Sequence, residues 1–365
     1  MKIDFARPDR EHLAIHDALV EAAARVLRSG RSILGDEVRR FEEAFATSFG
    51  ARFAVGVSSG TDGLATALYA LDVGEGDEVI VGAFGFVAAP EAIARVGARP
   101  VFVDVDAGAL ALDTGAVARA LSGRTRAIVT VDLFGVVHDL APLRAAAPHL
   151  PLVEDAAQAL GATFRGANAG TLGDIGVHSF FPGKALGAAG DAGACVTDDP
   201  ALAARMTQVR VHGSSKTYSW EVRGGNHRLD ALQAALLSVK LLHLPSRLAR
   251  RQEIGARLVA TAQRLGLAAI VGSSAGSPMF SPLALRTAGG QRDAMVVRLR
   301  ERGVDVRVHY PRTLPMCPPF AAYAEGASFP EAERATRELL SIPCHPEMTD
   351  EEVAYLESAL GAALR

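Results

Sequence analysis

Short apolar runs alternate with segments of helical length through the first half of the chain. The run FAVGVSS (53–59) has the length and valine content of a buried strand, and leucines follow it at helical spacing at Leu64, Leu68 and Leu71. Strands that are apolar throughout and separated by helices are typical of a mostly parallel sheet covered on both faces. The later strand runs are DEVIVGA, RPVFVDVD, TRAIVTVDLFG, LPLVEDAA, DIGVHSFF and AGACVTDD.

The pattern changes to long helix over residues 226–266, where Pro245 is predicted to kink or break the helix. Shorter strand and helix patterns follow, including QRDAMVVRLRERG, ELLSIPC and TDEEVAYLESALGAAL, and they indicate a small α+β unit. We therefore predict a large domain over residues 1–240 and a small C-terminal domain over residues 241–365.

Composition and charge describe an ordinary globular protein. A net charge of −3 over 365 residues leaves no basic excess to attract nucleic acid or anionic lipid. The N-terminus lacks the apolar stretch of a signal peptide, and no segment resembles a membrane span, so we expect a cytoplasmic protein. Cys195, Cys317 and Cys344 are odd in number and widely spaced, which predicts reduced structural thiols and no metal site.

Two acidic residues, Glu154 and Asp155, end the apolar run in VEDAAQALGATF (153–164). If LPLV is a central strand, Asp155 emerges at its carboxyl end, where α/β proteins bind their ligands, and it should have a cationic partner there. The alternative is that Asp155 caps a following helix and that Glu154 favours the helix dipole. This stretch alone leaves both interpretations open.

A second stretch, VSSGTDGL (57–64), joins a strand to a helix through a glycine-containing turn. Backbone N–H groups near Gly60, Thr61 and Asp62, together with the helix dipole, would favour an anion such as a phosphate. The pattern is neither a P-loop nor a GxGxxG fingerprint, which also disfavours a Rossmann dehydrogenase. A simple capped helix is the open alternative.

Lys184 lies in the glycine-rich and otherwise apolar segment HSFFPGKALGAAGDAG (178–193), a poor place for a solvated charge. A lysine amine in an apolar pocket has a lowered pKa and can condense with a carbonyl group. Ser179, five residues earlier, is near enough to donate its hydroxyl to a phosphate ester. An exposed loop lysine is the alternative for Lys184 taken singly.

The three stretches together match the needs of one cofactor, pyridoxal 5′-phosphate. This cofactor requires an anion site for its phosphate, a lysine for its aldehyde and a carboxylate that keeps its pyridine nitrogen protonated, so that the ring withdraws electrons. The pyridine nitrogen would then be the cationic partner of Asp155.

The ordered set of motifs resembles the sugar aminotransferase family called DegT/DnrJ/EryC1/StrS, a branch of the fold type I pyridoxal phosphate enzymes. The similarity covers nearly the whole chain. The resemblance implies an α/β fold, with a mostly parallel seven-stranded sheet between helices in the large domain and a small C-terminal α+β domain. It is carried by RSGRSILGDEVRRFEEAFA, SSGTDGL, VEDAAQALGA, GDIGVHSFFPGKALGAAGDAG, GGNHRLDALQAALL, VHYP and SIPCHPEMTDEE.

The resemblance also implies a role for each matching residue. Lys184 would bond to the cofactor aldehyde and carry protons, Asp155 would hold the pyridine nitrogen, and Gln158 would donate to the phenolic oxygen. Phe86 would stack on the cofactor ring, and Asn226 would reach the phosphate in the neighbouring subunit, which implies a homodimer with active sites at the subunit interface. The phosphate would be held by Gly60, Thr61, Asp62 and Ser179.

The implied reaction moves an amino group from L-glutamate to a ketosugar carried on a dTDP or UDP nucleotide, with pyridoxamine 5′-phosphate as the intermediate form. The ketone would be at C3 or C4, with C3 preferred. His309 and Tyr310 in VHYP would contact the sugar, and Arg31 and Arg228 are candidates for the diphosphate. In some relatives a histidine replaces the lysine and the enzyme is a dehydratase, which Lys184 argues against.

Two other functions stay open on the sequence. One is an aminotransferase of the same family that acts on a cyclitol or another ketone. The other is a catalytically silent regulatory protein that binds the cofactor, which the complete set of Lys184, Asp155 and Gln158 argues against.

Overall fold

Helices and strands alternate along the chain in the structure, a computed structural model that describes residues 1–216 and 218–365. The α-helices, numbered in chain order, are α1 (Pro8–Ala14), α2 (His16–Ser29), α3 (Asp36–Phe49), α4 (Gly60–Ala70), α5 (Ala88–Arg95), α6 (Thr114–Ala120), α7 (Ala141–Ala146), α8 (Pro200–Val209), α9 (Ala231–Arg264), α10 (Arg292–Glu301), α11 (Pro330–Glu338) and α12 (Asp350–Ala363). The strands are β1 (Phe53–Val57), β2 (Glu78–Gly82), β3 (Arg99–Val103), β4 (Thr125–Val131), β5 (Leu152–Asp155), β6 (Thr163–Phe164), β7 (Ala167–Asn168), β8 (Ile175–Ser179), β9 (Gly193–Thr197), β10 (Ser214–Lys216), β11 (Ser219–Trp220), β12 (Ala268–Ala269), β13 (Gly276–Ser277), β14 (Leu283–Arg286) and β15 (Leu339–Ile342).

A seven-stranded sheet in the order β1-β9-β8-β5-β4-β2-β3 forms the centre of the large part of the molecule. Strand β9 runs antiparallel to both of its neighbours, and the other neighbouring pairs are parallel. The predicted mostly parallel sheet between helices is confirmed. Strand β5, which carries the two acidic residues, is interior to the sheet, between β8 and β4.

Both faces of this sheet are buried, which explains why its strands are apolar throughout. In β2, Val79 and Val81 pack into the cluster that contains α4 and α5, whereas Ile80 between them packs against α6 and α7. Successive side chains of a strand point to opposite faces, so one strand contributes to two cores. Burial of each such side chain contributes about 1.5–3 kcal/mol, and this fixes the strand ends that carry the site.

Helix α9 connects the large part to the C-terminal part. Its residues Leu237 and Leu241 pack in a cluster with α3, whereas Ile254 and Leu258 pack with β14, β15, α10 and α12. Of the kink or break predicted at Pro245, the break does not occur, because α9 continues through that residue. A proline inside a helix removes one hydrogen bond, and its ring clashes with the carbonyl four residues earlier. Packing on both sides of Pro245 holds α9 together.

The predicted boundary after residue 240 falls inside α9. We propose that α9 serves both parts, and that the small part begins within this helix and not at its start. The small part also takes in the N-terminus, since the Ile3 N–H donates to the Gly303 carbonyl (2.9 Å) and the Ile3 side chain joins the same cluster as β14 and β15.

None of the helices in residues 1–216 and 218–365 combines the length and apolarity that crossing a bilayer needs.

Candidate active site

The two acidic residues at the end of β5 have different environments. The Glu154 carboxylate is fully buried and accepts hydrogen bonds from the backbone N–H groups of Gly170 (2.7 Å), Leu172 (2.8 Å) and Gly173 (2.9 Å). Three backbone donors satisfy a buried carboxylate without any cation. Glu154 therefore orders the loop before β8, and the neighbouring acid, Asp155, is the one available to a ligand.

Asp155 is the last residue of β5, and its side chain lines a cavity of about 750 Å³ at the carboxyl ends of the strands. No helix begins within residues 156–162, so Asp155 is not a helix cap; its Oδ1 accepts only the N–H of Ala157 (3.1 Å). Burial raises the pKa of Asp155 to about 6, although the Ala157 hydrogen bond and the charge of Lys184 act in the opposite direction. A cation at this position would restore the carboxylate.

Lys184 reaches the same cavity from the loop between β8 and β9. Burial lowers the pKa of Lys184 to about 8, and the Asp155 charge opposes that change. Within the described residues its amine has no hydrogen-bond partner and no carboxylate at ion-pair distance. A half-buried amine with a lowered pKa and no protein partner is poised to act as a nucleophile or a base.

The N-terminus of α4 opens on the cavity. Ser59 caps the helix by accepting the Asp62 N–H (3.0 Å), which leaves the N–H groups of Gly60 and Thr61 without intrahelical partners. A Cβ added to Gly60 would lie 2.9 Å from the Cβ of Ser179, so only glycine allows the helix start and this serine to approach so closely. The arrangement provides hydrogen-bond donors and a helix dipole for an anion.

A hydrogen-bonded chain orients Gln158 toward the cavity. Its Oε1 accepts the backbone N–H of Phe134 (2.8 Å), so its Nε2 points to the cavity and donates to the hydroxyl of Tyr310 (3.1 Å). Burial raises the pKa of Tyr310, whose hydroxyl therefore stays protonated. His309 donates or accepts at Nδ1 with Ser341 Oγ (2.9 Å), and burial lowers its pKa to about 4, which keeps the ring neutral.

The structure brings most of the predicted residues to one place. Phe86 lies at the rim, where its side chain is 54% exposed and its ring centroid is 6.2 Å from that of Tyr310. The predicted residues that line the cavity are Gly60, Thr61, Phe86, Asp155, Gln158, Ser179, Lys184, His309 and Tyr310.

Four predicted residues do not line this cavity. The carboxylate of Asp62 is bound by Ser58 and by Arg95 (2.5 Å), and its N–H is used in capping α4. The others are Arg31, Asn226 and Arg228. Asn226 is exposed and forms an isolated antiparallel β-bridge with Val211. The structure of the single chain therefore does not bring these residues to the cavity.

Arg251 lines the cavity and was not predicted. It lies in the middle of α9, where the sequence RLARRQ contains three arginines in a helical pattern and nothing distinguishes the buried one. The N-terminal residues Phe5 and Ala6 also line the cavity, and only the folded chain brings them there.

The donor set fits pyridoxal phosphate. The helix start at Gly60, which no larger side chain could occupy beside Ser179, suits a phosphate, and the unpartnered amine of Lys184 suits an aldehyde. The buried Asp155, whose carboxylate lacks a cationic partner in contact, suits the protonated pyridine nitrogen.

The raised pKa of Asp155 predicts a pH effect on the cofactor-free protein. A carboxyl whose pKa is higher in the folded state stabilises the fold below its unfolded pKa of about 4, and this contribution is lost as the pH rises through about 6. Above that pH, cofactor-free Asp155→Asn should be more stable than the wild type by about 1–3 kcal/mol. Urea unfolding of both proteins from about pH 4 to 7 measures the difference. If the free energies of unfolding of the two proteins changed in parallel with pH across this range, Asp155 would not be a buried, uncompensated carboxyl.

The fold and the cavity residues together place the protein in the class of fold type I pyridoxal phosphate enzymes. Within that class, the chain belongs to the DegT/DnrJ/EryC1/StrS aminotransferase family, whose pattern matches residues 14–360.

Two curated relatives share 41% of their residues with this chain. One is the "Pleiotropic regulatory protein" of Geobacillus stearothermophilus, aligned over 98% of this chain and 97% of the relative. The other is the "dTDP-3-amino-3,4,6-trideoxy-alpha-D-glucose transaminase" of Streptomyces venezuelae, aligned over 90% of this chain and 87% of the relative.

Solved structures agree with the family. The crystal structure of S. venezuelae DesV has a TM-score of 0.94 and 38% identity and covers 100% of this chain and 99% of its own. The structure of NtdA from Bacillus subtilis with bound cofactor PMP has a TM-score of 0.91 and 27% identity and covers 100% of this chain and 85% of its own. The family is thus of the type that depends on pyridoxal phosphate and its pyridoxamine form.

Proposed function

We propose that this protein transfers the amino group of L-glutamate to a nucleotide-linked ketosugar, a 3-keto or 4-keto deoxysugar on dTDP or UDP. The observation that carries the proposal is the unpartnered amine of Lys184 in one cavity with the buried carboxyl of Asp155. The S. venezuelae transaminase, whose name specifies a 3-amino sugar, supports the 3-keto substrate over the 4-keto one.

Pyridoxal 5′-phosphate, when bound, accepts the amino group and withdraws electrons from the carbon next to it. Three side chains and one phosphate site of this chain would hold the cofactor. Lys184 would bind its aldehyde, Asp155 its pyridine nitrogen and Gln158 its phenolic oxygen, while the phosphate would lie at Gly60, Thr61 and Ser179. Asp62 is not among the proposed phosphate donors, because its N–H already donates to the Ser59 hydroxyl oxygen (3.0 Å).

Lys184 is the group of this chain that would carry protons. With a pKa of about 8, about a tenth of its amine is neutral at pH 7, far more than for an ordinary lysine. Nζ can therefore take a proton from the Cα of the amino donor and return one to the sugar carbon. A positioned base of this kind contributes about 10²- to 10⁴-fold to a rate. The buried, protonated Tyr310 and the neutral His309 border the same space, where they can donate to sugar oxygens.

A homodimer with shared sites accounts for the residues that the single-chain cavity does not reach. Asn226 would extend to the cofactor phosphate of the partner, and Arg31 and Arg228 would lie near the diphosphate of the nucleotide. Two exposed aromatic side chains at the rim, Phe86 (54%) and Phe181 (56%), support this arrangement, because large exposed apolar groups beside a site favour an interface.

A mixed dimer tests whether Asn226 acts across the interface. In a dimer of one Lys184→Ala subunit and one Asn226→Ala subunit, action in trans leaves one site with both residues intact. That site should bind the cofactor as tightly as the wild type and give about half of the wild-type turnover per dimer. Two affinity tags isolate the mixed dimer, and titration with the cofactor measures its affinity. Action within one chain predicts instead the weakened affinity of the Asn226→Ala homodimer.

Two alternatives remain for comparison. An aminotransferase of a cyclitol or another ketone would use the same residues of the cofactor site and differ only in the acceptor. A cofactor-binding regulator is favoured by the name of the G. stearothermophilus relative, but the cavity of this chain retains the lysine and the carboxyl that turnover needs.

A panel of acceptors distinguishes these functions. The cofactor-loaded protein is incubated with L-glutamate and dTDP- or UDP-linked 3-keto and 4-keto deoxysugars, and NMR locates the new amine. We expect a product aminated at C3 and the formation of 2-oxoglutarate in equal amount. Amination of a cyclitol ketone alone would favour the second function, and bound cofactor that glutamate never converts would favour the regulator.

A further inference from the structure

Arg251 is a buried cation without an acidic partner. Among the described residues, two arginines are less than a tenth exposed, Arg210 at 7% and Arg251 at 5%. Arg210 pairs with Glu42 and also donates to the carbonyl of Gly56 (2.9 Å). In the described chain no carboxylate lies at ion-pair distance from Arg251, and the charges of Glu347 and Glu11 act on it only from farther away. A buried charge without a counter-charge is costly, by several kcal/mol, so the contrast with Arg210 indicates that Arg251 awaits an anion.

The free donors of Arg251 face the cavity. Its Nη1 donates to the backbone carbonyl of Cys344 (2.9 Å), which fixes the guanidinium between α9 and the segment after β15. Its Nε and Nη2 have no acceptor in the described protein and are not among the polar atoms sealed from solvent. Two adjacent N–H groups of a guanidinium form a planar fork that matches a carboxylate in two parallel hydrogen bonds.

The position of Arg251 selects among the anions of the proposed reaction. The cofactor phosphate has its own site at the start of α4, beside Gly60 and Ser179. A nucleotide diphosphate is bulky and belongs at the mouth, whereas Arg251 is nearly fully enclosed. Arg251 is also close enough to Lys184 for its charge to help lower the pKa of that amine. The amino donor has a carboxylate bonded to the same Cα that would lose its proton to Lys184.

We infer that Arg251 is the subsite for a carboxylate of the amino donor and of the 2-oxoacid that it becomes. The inference rests on the proposed function, since it assigns the donor half of that reaction to a residue. It explains why a buried guanidinium has no carboxylate of the described chain in contact with it. It also restricts the donors to amino acids and excludes simple amines.

Equilibrium binding of glutarate, a dicarboxylate that lacks the reacting amine, tests the subsite without turnover. Calorimetry on the cofactor-loaded protein should show that Arg251→Met weakens glutarate binding about 10- to 100-fold, as loss of a charged hydrogen-bonding group does. Arg251→Lys should lie between, because it keeps the charge and loses the fork. The matched control is Arg257→Met in the same helix, where the arginine is partly exposed and pairs with Glu357, and it should bind glutarate as the wild type does.

Thermal melting distinguishes this role from a structural one. Removing an uncompensated buried charge should leave the melting temperature of the ligand-free Arg251→Met protein unchanged or raise it. If Arg251 served only to hold the Cys344 segment, the variant would melt at a lower temperature and glutarate would bind it within about twofold of the wild type. That pair of results would overturn the inference.

UDP and dTDP test whether the anion that Arg251 binds is a nucleotide diphosphate or a carboxylate. UDP and dTDP should bind Arg251→Met as they bind the wild type, and loss of nucleotide binding with unchanged glutarate binding would overturn the inference in favour of a diphosphate site. The glutarate measurements do not depend on which ketone accepts the amino group. A wild type that binds glutarate through Arg251 and aminates no ketosugar would contradict the proposed function and still support the carboxylate subsite.

Discussion

Lys184→Ala is expected to lower kcat for amino transfer by at least about 10²- to 10⁴-fold, the contribution of a positioned proton-transfer group. The methyl group can neither bond to the cofactor aldehyde nor move a proton, and within the described residues no other lysine lines the cavity. The variant should still bind the cofactor through the phosphate site, without the visible absorbance of the covalent form. Steady-state kinetics and absorbance of the dialysed protein measure both effects.

Two control variants sharpen this result. Lys184→Arg keeps a positive charge but has a pKa too high to release the proton, so it should be as inactive as the alanine variant. Lys2→Ala removes a lysine that is 80% exposed and paired with Asp4, and it should behave as the wild type. Wild-type kcat in Lys184→Ala would contradict the assignment of this residue.

Asp155→Asn is expected to lower kcat by about 10²- to 4 × 10³-fold while leaving the cofactor covalently bound. The amide keeps the shape of the side chain but carries no charge, so it cannot hold the pyridine nitrogen protonated. Loss of one partner of a buried charged pair typically amounts to 3–5 kcal/mol, and each 1.4 kcal/mol is tenfold in rate. Single-turnover conversion of the cofactor by L-glutamate isolates this step from product release.

Asp293→Asn is the control for this substitution, because Asp293 is 83% exposed on α10 and does not line the cavity. It should leave both kcat and cofactor binding unchanged. If Asp155→Asn converted its cofactor at the wild-type rate, Asp155 would not be the partner of the pyridine nitrogen.

The alternation of apolar runs predicted the sheet because both of its faces are buried, so that strand and helix differ clearly in length and pattern. The positions of Asp155 and Lys184 in the site were also predicted from which segments are buried. A charged residue that directly follows a buried strand, or that lies in an apolar glycine-rich loop, has few ways to be solvated. Burial then raises the pKa of Asp155 and lowers that of Lys184.

The remaining features depend on contacts between distant parts of the chain. Arg251 looks like its neighbours in the sequence, and only the packing of α9 against the segment around Cys344 buries it. Asp62 was a candidate for the phosphate site through its backbone N–H, but that N–H donates to the Ser59 hydroxyl oxygen in capping α4. Pro245 did not break α9, because packing on both sides outweighs the lost hydrogen bond and the clash of the proline ring with the preceding turn. Asn226 can be judged only in an assembled dimer.

Borohydride reduction of the cofactor-loaded protein, followed by peptide mass spectrometry, tests directly whether Lys184 is the lysine that bonds to the cofactor aldehyde. The chain has the lysines Lys2, Lys184, Lys216 and Lys240, so each possible site of attachment falls in a separate peptide. Lys240 is buried and already donates to Glu11 (3.1 Å) and to the carbonyl of Gly187 (2.7 Å), which makes it a poor competitor. We expect the mass of reduced cofactor on Lys184 alone. Label on another lysine, or on no lysine, would contradict the assignment of Lys184 as the residue that bonds to the cofactor.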